Sequence, residues 1–141
     1  MQNSVFLDTS YSIALSIARD ENHDKAISLA AWIKTSSVSV VTTQAIILEI
    51  GNALSTPKLR ETAVGIIEKY AADENTSIIS LTDKLYDEGF ELFRNRPDKN
   101  WSLVDCISFI VMKEREISLA LTHDEHFVQA GFRALLREDN P

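Results

Sequence analysis

Residues Ser4–Ser10 read S-V-F-L-D-T-S, and this stretch decides the fold. The apolar run at 5–7 consists of β-formers and predicts a strand that is buried on both faces. Asp8 ends the run, and two hydroxyl residues of N-cap type stand ahead of a helical pattern that begins near Tyr11. A carboxylate therefore stands where a buried strand ends and a helix begins, which is where open parallel sheets bind ligands. Helix capping by Asp8 is the alternative, and this stretch alone does not decide between the two.

Strand-like and helix-like segments alternate along the rest of the chain. Four more strands are predicted at Val38–Val41, Ser77–Leu81, Ser118–Leu121 and Phe132–Leu136, separated by amphipathic helical segments. The helix that ends near Leu54 is apolar nearly all round, which predicts that it is largely buried. Alternating strands and helices predict an α/β fold with a parallel five-stranded sheet and helices on both faces. No repeat or linker interrupts the pattern, so residues 1–141 are predicted to form a single domain.

Composition limits the class of protein. The chain has 141 residues, 45% of them hydrophobic, with only 4 glycines and 3 prolines, which indicates a packed globular protein. No apolar run approaches the roughly 20 residues that cross a bilayer, and the first strand leaves no room for a signal peptide. Cys106 is the only cysteine, so we expect a reducing compartment, the cytoplasm. The net charge of −7 argues against general coating of nucleic acid but leaves a local site, or a basic partner, open.

Four acidic residues do not fit the pattern of a solvated surface. Asp8 and Asp124 follow the first and fourth predicted strands, whereas Glu49 and Asp105 stand inside otherwise apolar helices. Each has a local explanation. Asp8 would cap a helix, Glu49 would reach solvent from a partly exposed stripe, Asp105 would complete a capping box with Ser102, and Asp124 would favour a helix dipole. These explanations treat the residues singly and do not account for the set.

A doubly wound sheet with strand order 3-2-1-4-5 brings the set together. Its switch point lies between the first and fourth strands, directly ahead of Asp8 and Asp124. Glu49 lies in the helix after the second strand, and Asp105 lies in the first turn of a helix that starts at the same sheet edge. Four clustered carboxylates repel one another unless a divalent cation lies among them, and oxygen ligands suit Mg²⁺ or Mn²⁺. Such a cluster suits phosphodiester hydrolysis, one ion activating water and another stabilising the leaving oxygen.

Four motifs in this order and spacing also carry a family resemblance. They are F-L-D-T-S at Phe6–Ser10, T-T-Q-A-I-I-L-E-I-G-N-A-L around Glu49, W-S-L-V-D-C at Trp101–Cys106, and L-T-H-D-E-H-F at Leu121–Phe127. The chain resembles the PIN-domain ribonucleases over essentially its whole length, and among them the VapC-type toxins of type II toxin–antitoxin systems. The resemblance implies a three-layer α/β/α fold and metal-dependent endonuclease activity on RNA. It also implies a small antitoxin partner, and homodimers are common in the family.

The resemblance assigns roles to individual residues. It implies that the catalytic metal cluster consists of Asp8, Glu49, Asp105 and Asp124. Ser10 and Thr122 match hydroxyl positions that would orient the carboxylates or a water molecule, and Ser102 would do the same or only cap its helix.

The residues around this cluster are open to more than one interpretation. Because the protein is acidic, it must bind RNA through a local group of basic residues. The best candidates for phosphate binding are Arg94, Arg96 and Lys99. The alternative is that they belong to a solvated polar loop. His123 is interpreted as a surface residue, and His126 as a helix-face residue near the cleft. Two other functions remain open: a stand-alone PIN nuclease in RNA processing, and a degenerate PIN fold that binds RNA or protein without cleaving.

Overall fold

The computed structural model describes residues 4–139, which form a five-stranded parallel sheet with helices on both faces. The strands are β1 (Ser4–Leu7), β2 (Ser39–Thr43), β3 (Thr76–Ile79), β4 (Leu119–Leu121) and β5 (Arg133–Ala134). The helices are α1 (Thr9–Ser16), α2 (His23–Thr35), α3 (Gln44–Ala53), α4 (Pro57–Ala72), α5 (Asp83–Asn95), α6 (Leu103–Glu114) and α7 (Glu125–Gln129), and a 3₁₀ helix spans Leu135–Arg137. The strand order is β3-β2-β1-β4-β5, which confirms the predicted order.

Strand β1 lies at the centre of the sheet. Phe6 pairs with Val41 of β2 on one side and with Ala120 of β4 on the other, and all three are buried. The pairing reaches one residue beyond β1, because the Asp8 N–H donates to the carbonyl of Leu121 at 3.2 Å. The backbone of Asp8 is therefore fixed at the carboxyl edge, beside the end of β4.

An aromatic cluster joins α6 to α7. The ring of Phe109 in α6 meets the rings of Trp101 and Phe127 edge-on, each at a centroid distance of 5.0 Å. Such edge-to-face pairs add about 0.5–1.5 kcal/mol each to the hydrophobic gain. Phe127 also lies 6.3 Å from the ring of Phe6 in β1. This packing places the first turns of α6 and α7 at the same sheet edge as Asp8.

Two helices differ from the sequence prediction. Helix α1 begins at Thr9 and not near Tyr11, so Asp8 itself occupies the N-cap position. Helix α3 is buried on one side only. Ile46 and Ile50 face the core, whereas Leu48 is 62% exposed, because a helix in an outer layer turns one face to solvent whatever its composition.

The last strand is shorter than predicted. β5 contains only Arg133–Ala134, not residues 132–136, because the chain turns into the 3₁₀ helix at Leu135. Leu135 and Leu136 are buried there without belonging to the sheet. A short apolar run predicts burial but does not distinguish a strand from a helical turn. Within residues 4–139, no helix combines the length and apolarity needed to cross a bilayer.

Candidate functional site

One open cleft of about 340 Å³ at the carboxyl edge of the sheet collects all four of the singled-out carboxylates. Its lining comprises Asp8, Thr9, Ser10, Ile13, Glu49, Ser102, Asp105, Asp124 and His126. No lysine or arginine is among these lining residues of the described chain. Within this lining, the negative charge of the carboxylates is therefore not balanced by a lysine or an arginine.

Asp8 is held by two hydroxyl groups. Its Oδ2 accepts hydrogen bonds from Thr122 Oγ1 at 2.7 Å and Ser10 Oγ at 3.1 Å, and it is only 7% exposed. The two hydroxyl oxygens lie 3.2 Å apart, and the backbone N–H of His123 donates to Ser10 Oγ at 3.1 Å. Although Asp8 occupies the N-cap position of α1, its side chain makes no capping hydrogen bond. Its carboxylate is thus oriented towards the cleft by partners on both α1 and the segment after β4.

Burial makes the cluster electrostatically costly without a cation. Burial raises the pKa of Asp8 to about 6 against the opposing hydrogen bond from Thr122, and the charges of Glu49 and Asp105 raise it further. Burial likewise raises the pKa of Glu49. The hydrogen bond from Thr9 opposes this effect, and the charges of Asp105 and Asp124 reinforce it. A divalent cation among these oxygens would reverse this penalty, so the charge state of the cleft fits a metal site.

Glu49 reaches the cleft from α3, where it is half-buried. Its Oε1 accepts a hydrogen bond of 2.5 Å from Thr9 Oγ1, the first residue of α1. The sequence indicated Thr9 only as a capping residue type, and its pairing with a side chain forty positions later was missed. The contact orients the Glu49 carboxylate towards the side of the cleft that Asp8 occupies.

Asp105 has two roles at once. Ser102 Oγ accepts from the Asp105 N–H at 3.0 Å, and Asp105 Oδ2 accepts from the Ser102 N–H at 3.1 Å, which completes the predicted capping box. The same Oδ2 lies 2.9 Å from His126 Nδ1. The sequence allows either a helix cap or a place in the cleft for Asp105, and the structure combines the two, because the capped first turn of α6 itself borders the cleft.

Asp124 and His126 complete the cluster. Asp124 is the N-cap of α7, and its Oδ1 accepts from the His126 N–H at 2.9 Å. His126 Nδ1 lies 3.3 Å from the same Oδ1. One ligand atom each from Asp105, Asp124 and His126 lie within 4.8 Å of one another. The sequence placed His126 near the cleft but not in the cluster. Its position two residues after an N-cap aspartate is the signal that could have found it.

The three cations proposed from the sequence to bind phosphate do not line this cleft. Arg94 Nη2 pairs with Glu91 at 2.5 Å, and Arg96 Nε pairs with Asp98 at 3.0 Å. Together with Lys99 they line a second groove, formed by the loop between α5 and α6.

The PIN domain family model matches residues 5–133, which is nearly all of the chain. The chain belongs to the PIN domain family. This PIN domain is similar to the crystal structure of Mycobacterium tuberculosis VapC20, a sarcin–ricin loop cleaving toxin, with a TM-score of 0.81 and 26% identity. The match covers 92% of this chain and 96% of that one. The predicted resemblance to VapC-type PIN proteins is confirmed, and it supports a nuclease of the toxin type.

A second solved structure shares the fold at lower identity. It is VapBC2 from Rickettsia felis bound to a DNA fragment from its promoter, with a TM-score of 0.64 and 13% identity. The match covers 91% of this chain and 93% of that chain. At 13% identity it shows a shared fold alone. No curated protein matches the chain.

Proposed function

We propose that this PIN domain is a divalent-metal-dependent endoribonuclease of single-stranded RNA and the toxin of a toxin–antitoxin pair. The observation that carries the proposal is the convergence of Asp8, Glu49, Asp105 and Asp124 on one cleft whose described lining contains no lysine or arginine. VapC20, the 26% identical structural neighbour, is a toxin that cleaves the sarcin–ricin loop, which supports RNA as the substrate class.

The proposed metal ligands are the four carboxylates, with Mg²⁺ or Mn²⁺ as the ion. His126 would add one nitrogen donor beside Asp105 and Asp124. A bound divalent ion would supply Lewis-acid activation of water and neutralise charge at the scissile phosphate. The chain's own contribution is orientation. The hydroxyls of Thr122 and Ser10 both hold Oδ2 of Asp8, which leaves its Oδ1 for a ligand in the cleft.

Hydrogen bonds from neighbouring groups also hold the carboxylates of Asp105 and Glu49. The capping box holds the Asp105 carboxylate at the start of α6, and the hydrogen bond from Thr9 holds the Glu49 carboxylate in the same cleft. Partners of this kind typically change metal affinity or activity about 10–100-fold when they are removed. Ser102 acts here through the capping box, because its hydroxyl accepts the Asp105 N–H.

The experiment is a cleavage assay on labelled single-stranded RNA with purified protein, in Mg²⁺ or Mn²⁺ and in EDTA. We expect cleavage only with a divalent ion, and none by Asp8→Asn, whose fold is verified by circular dichroism. Asp87→Asn, at an exposed position of α5, is the matched control and should cleave like the wild type. Cleavage in metal-stripped buffer, or full activity of Asp8→Asn, would overturn the nuclease mechanism.

A growth assay tests the toxin assignment. Expression of the chain alone should arrest growth, Asp8→Asn should not, and a co-expressed small partner should relieve the arrest. We propose a basic antitoxin that covers the acidic cleft, in the reducing cytoplasm that the single cysteine implies. Cleavage without growth arrest would favour a stand-alone nuclease of RNA processing. Failure of any divalent ion to raise the unfolding temperature would favour a non-catalytic binding module.

A further inference from the structure

A second groove adjoins the acidic cleft across the first turn of α6. Trp101 and Cys106 line the groove, while their sequence neighbours Ser102 and Asp105 line the cleft. The loop between α5 and α6 forms its outer wall. Its volume of about 360 Å³ falls within the range of about 300–1,000 Å³ that is usual for ligand pockets. The cleft and the groove therefore share the first turn of α6 as a common wall.

The groove contains the lysine and arginine side chains that the lining of the cleft lacks. Arg94, Arg96 and Lys99 line it, although the chain as a whole has a net charge of −7. Both arginines are paired with carboxylates of their own segment. Lys99 forms no ion pair with any residue of the described range 4–139. Its Nζ lies 6.0 Å from the centroid of the Trp101 ring, and its charge reinforces the hydrogen bond from Arg96 in lowering the pKa of Asp98. Neither interaction is a direct ion pair, so the ammonium group can still bind an anion. A phosphate is the anion that a nuclease substrate brings to this position.

Two flat side-chain groups line the same groove as this lysine. The Arg96 guanidinium lies 5.1 Å from the centroid of the Trp101 ring and donates two hydrogen bonds of 3.0 Å to the carboxylate of Asp98. Its plane is therefore fixed between a ring and a carboxylate. Phe93, at the end of α5, lines the same groove and is 44% exposed. Unpaired bases of RNA stack on exposed aromatic rings and on guanidinium planes.

We propose that this groove is a nucleotide subsite for single-stranded RNA next to the cleavage site. Phe93 and the fixed plane of Arg96 stack a base, and Lys99 binds a backbone phosphate. The subsite rests on the proposed function, because it takes the strand that continues out of the acidic cleft. An acidic peptide would satisfy the lysine but would leave both flat surfaces without a partner, so the observations favour RNA.

Binding is measured by fluorescence anisotropy of a short labelled single-stranded RNA of mixed sequence, in EDTA so that the RNA stays intact. Phe93→Leu keeps the apolar bulk but removes the ring, and should weaken binding about tenfold. Arg96→Lys keeps the charge but removes the plane, and should also weaken binding. Lys99→Gln should lower the slope of log Kd against log salt by about 0.7. With Mg²⁺, Phe93→Leu and Lys99→Gln should raise KM for cleavage and leave kcat unchanged.

Matched controls lie outside the groove. Tyr86→Leu removes an exposed ring of α5 that is stacked on Phe90, and Lys113→Gln removes an exposed charge at the far end of α6. Both should bind RNA like the wild type. All variants are at exposed or half-buried positions, so their unfolding temperatures should stay close to that of the wild type.

The two proposals fail separately. Wild-type RNA affinity in Phe93→Leu and Lys99→Gln would overturn the subsite while leaving metal-dependent cleavage untouched. RNA binding in EDTA that depends on both residues, in a protein that never cleaves, would support the subsite and overturn the nuclease. Polyglutamate serves as the second probe. If it binds with the same dependence on these residues and RNA does not, the groove is a site for an acidic peptide and the RNA subsite is refuted.

Discussion

Asp8→Asn should make the ion-free protein more stable at neutral pH. Burial raises the pKa of Asp8 from its ordinary value of 3.8 to about 6. At about 1.36 kcal/mol per pKa unit, keeping this carboxylate ionised in the folded protein costs about 3 kcal/mol. The folded state holds the proton more tightly than the unfolded chain. The contribution of Asp8 to stability is therefore fully present below its unfolded pKa of 3.8 and is lost as the pH rises towards 6. An uncharged amide of the same shape avoids this loss.

Thermal unfolding followed by circular dichroism in EDTA measures the effect. At an unfolding entropy of about 2.1 cal/mol/K per residue, 3 kcal/mol corresponds to an increase of roughly 10 °C above pH 6. The two proteins should converge as the pH falls well below 3.8, where Asp8 is neutral in both the folded and the unfolded state. Asp87→Asn, at an exposed site, is the control and should show no such pH-dependent gain.

Adding enough Mg²⁺ or Mn²⁺ should make the wild type more stable than Asp8→Asn. At an ion concentration of 1,000 times Kd the wild type should gain about 4.1 kcal/mol, which exceeds the advantage of about 3 kcal/mol that the variant has in EDTA. Asp8→Asn should gain much less because a ligand is missing. The reasoning is refuted if Asp8→Asn is less stable than the wild type in EDTA at neutral pH. It is also refuted if the variant keeps the full stabilisation by the ion.

Two further predictions concern a hydroxyl and a pair of glycines. Thr122→Val removes the hydroxyl that donates to Asp8 and should weaken Mn²⁺ binding at least tenfold in calorimetric titration. Thr122→Ser keeps the hydroxyl and should bind Mn²⁺ nearly normally. Equal Mn²⁺ affinities of the two variants would exclude an orienting role for this hydroxyl. Gly89→Ala would place its Cβ 2.5 Å from Ile107 Cγ1 and 3.3 Å from Ile107 Cα, and should lower the free energy of unfolding in urea by about 1–3 kcal/mol. The added Cβ of Gly65→Ala meets nothing within 4 Å, so this variant should stabilise α4 by roughly 0.5–1 kcal/mol. Equal urea midpoints for the two glycine variants would contradict the close packing of α5 on α6.

The sequence alone determined the architecture and the edge of the sheet that carries the site. Short β-branched runs alternating with helical periodicities require a parallel sheet, since parallel neighbours need crossover connections. Charges that end a buried run, such as Asp8 and Asp124, then fall at the carboxyl edge. The family motifs assigned a shared role to Glu49 and Asp105, whose local surroundings also allowed a solvated helix face or a simple cap.

Only the tertiary structure decided how these groups meet. His126 comes within 2.9 Å of Asp105 because the aromatic cluster fixes α7 against α6, and Thr9 reaches Glu49 because α1 packs on α3. Hydrogen bonds such as these require the two atoms to lie within a few tenths of an ångström of their optimum. Periodicity specifies which face of a helix is buried, but the distance between two faces depends on every side chain packed between them. For that reason the four carboxylates that line the cleft could be singled out from the sequence, whereas their hydrogen-bond partners and the place of His126 among them could not.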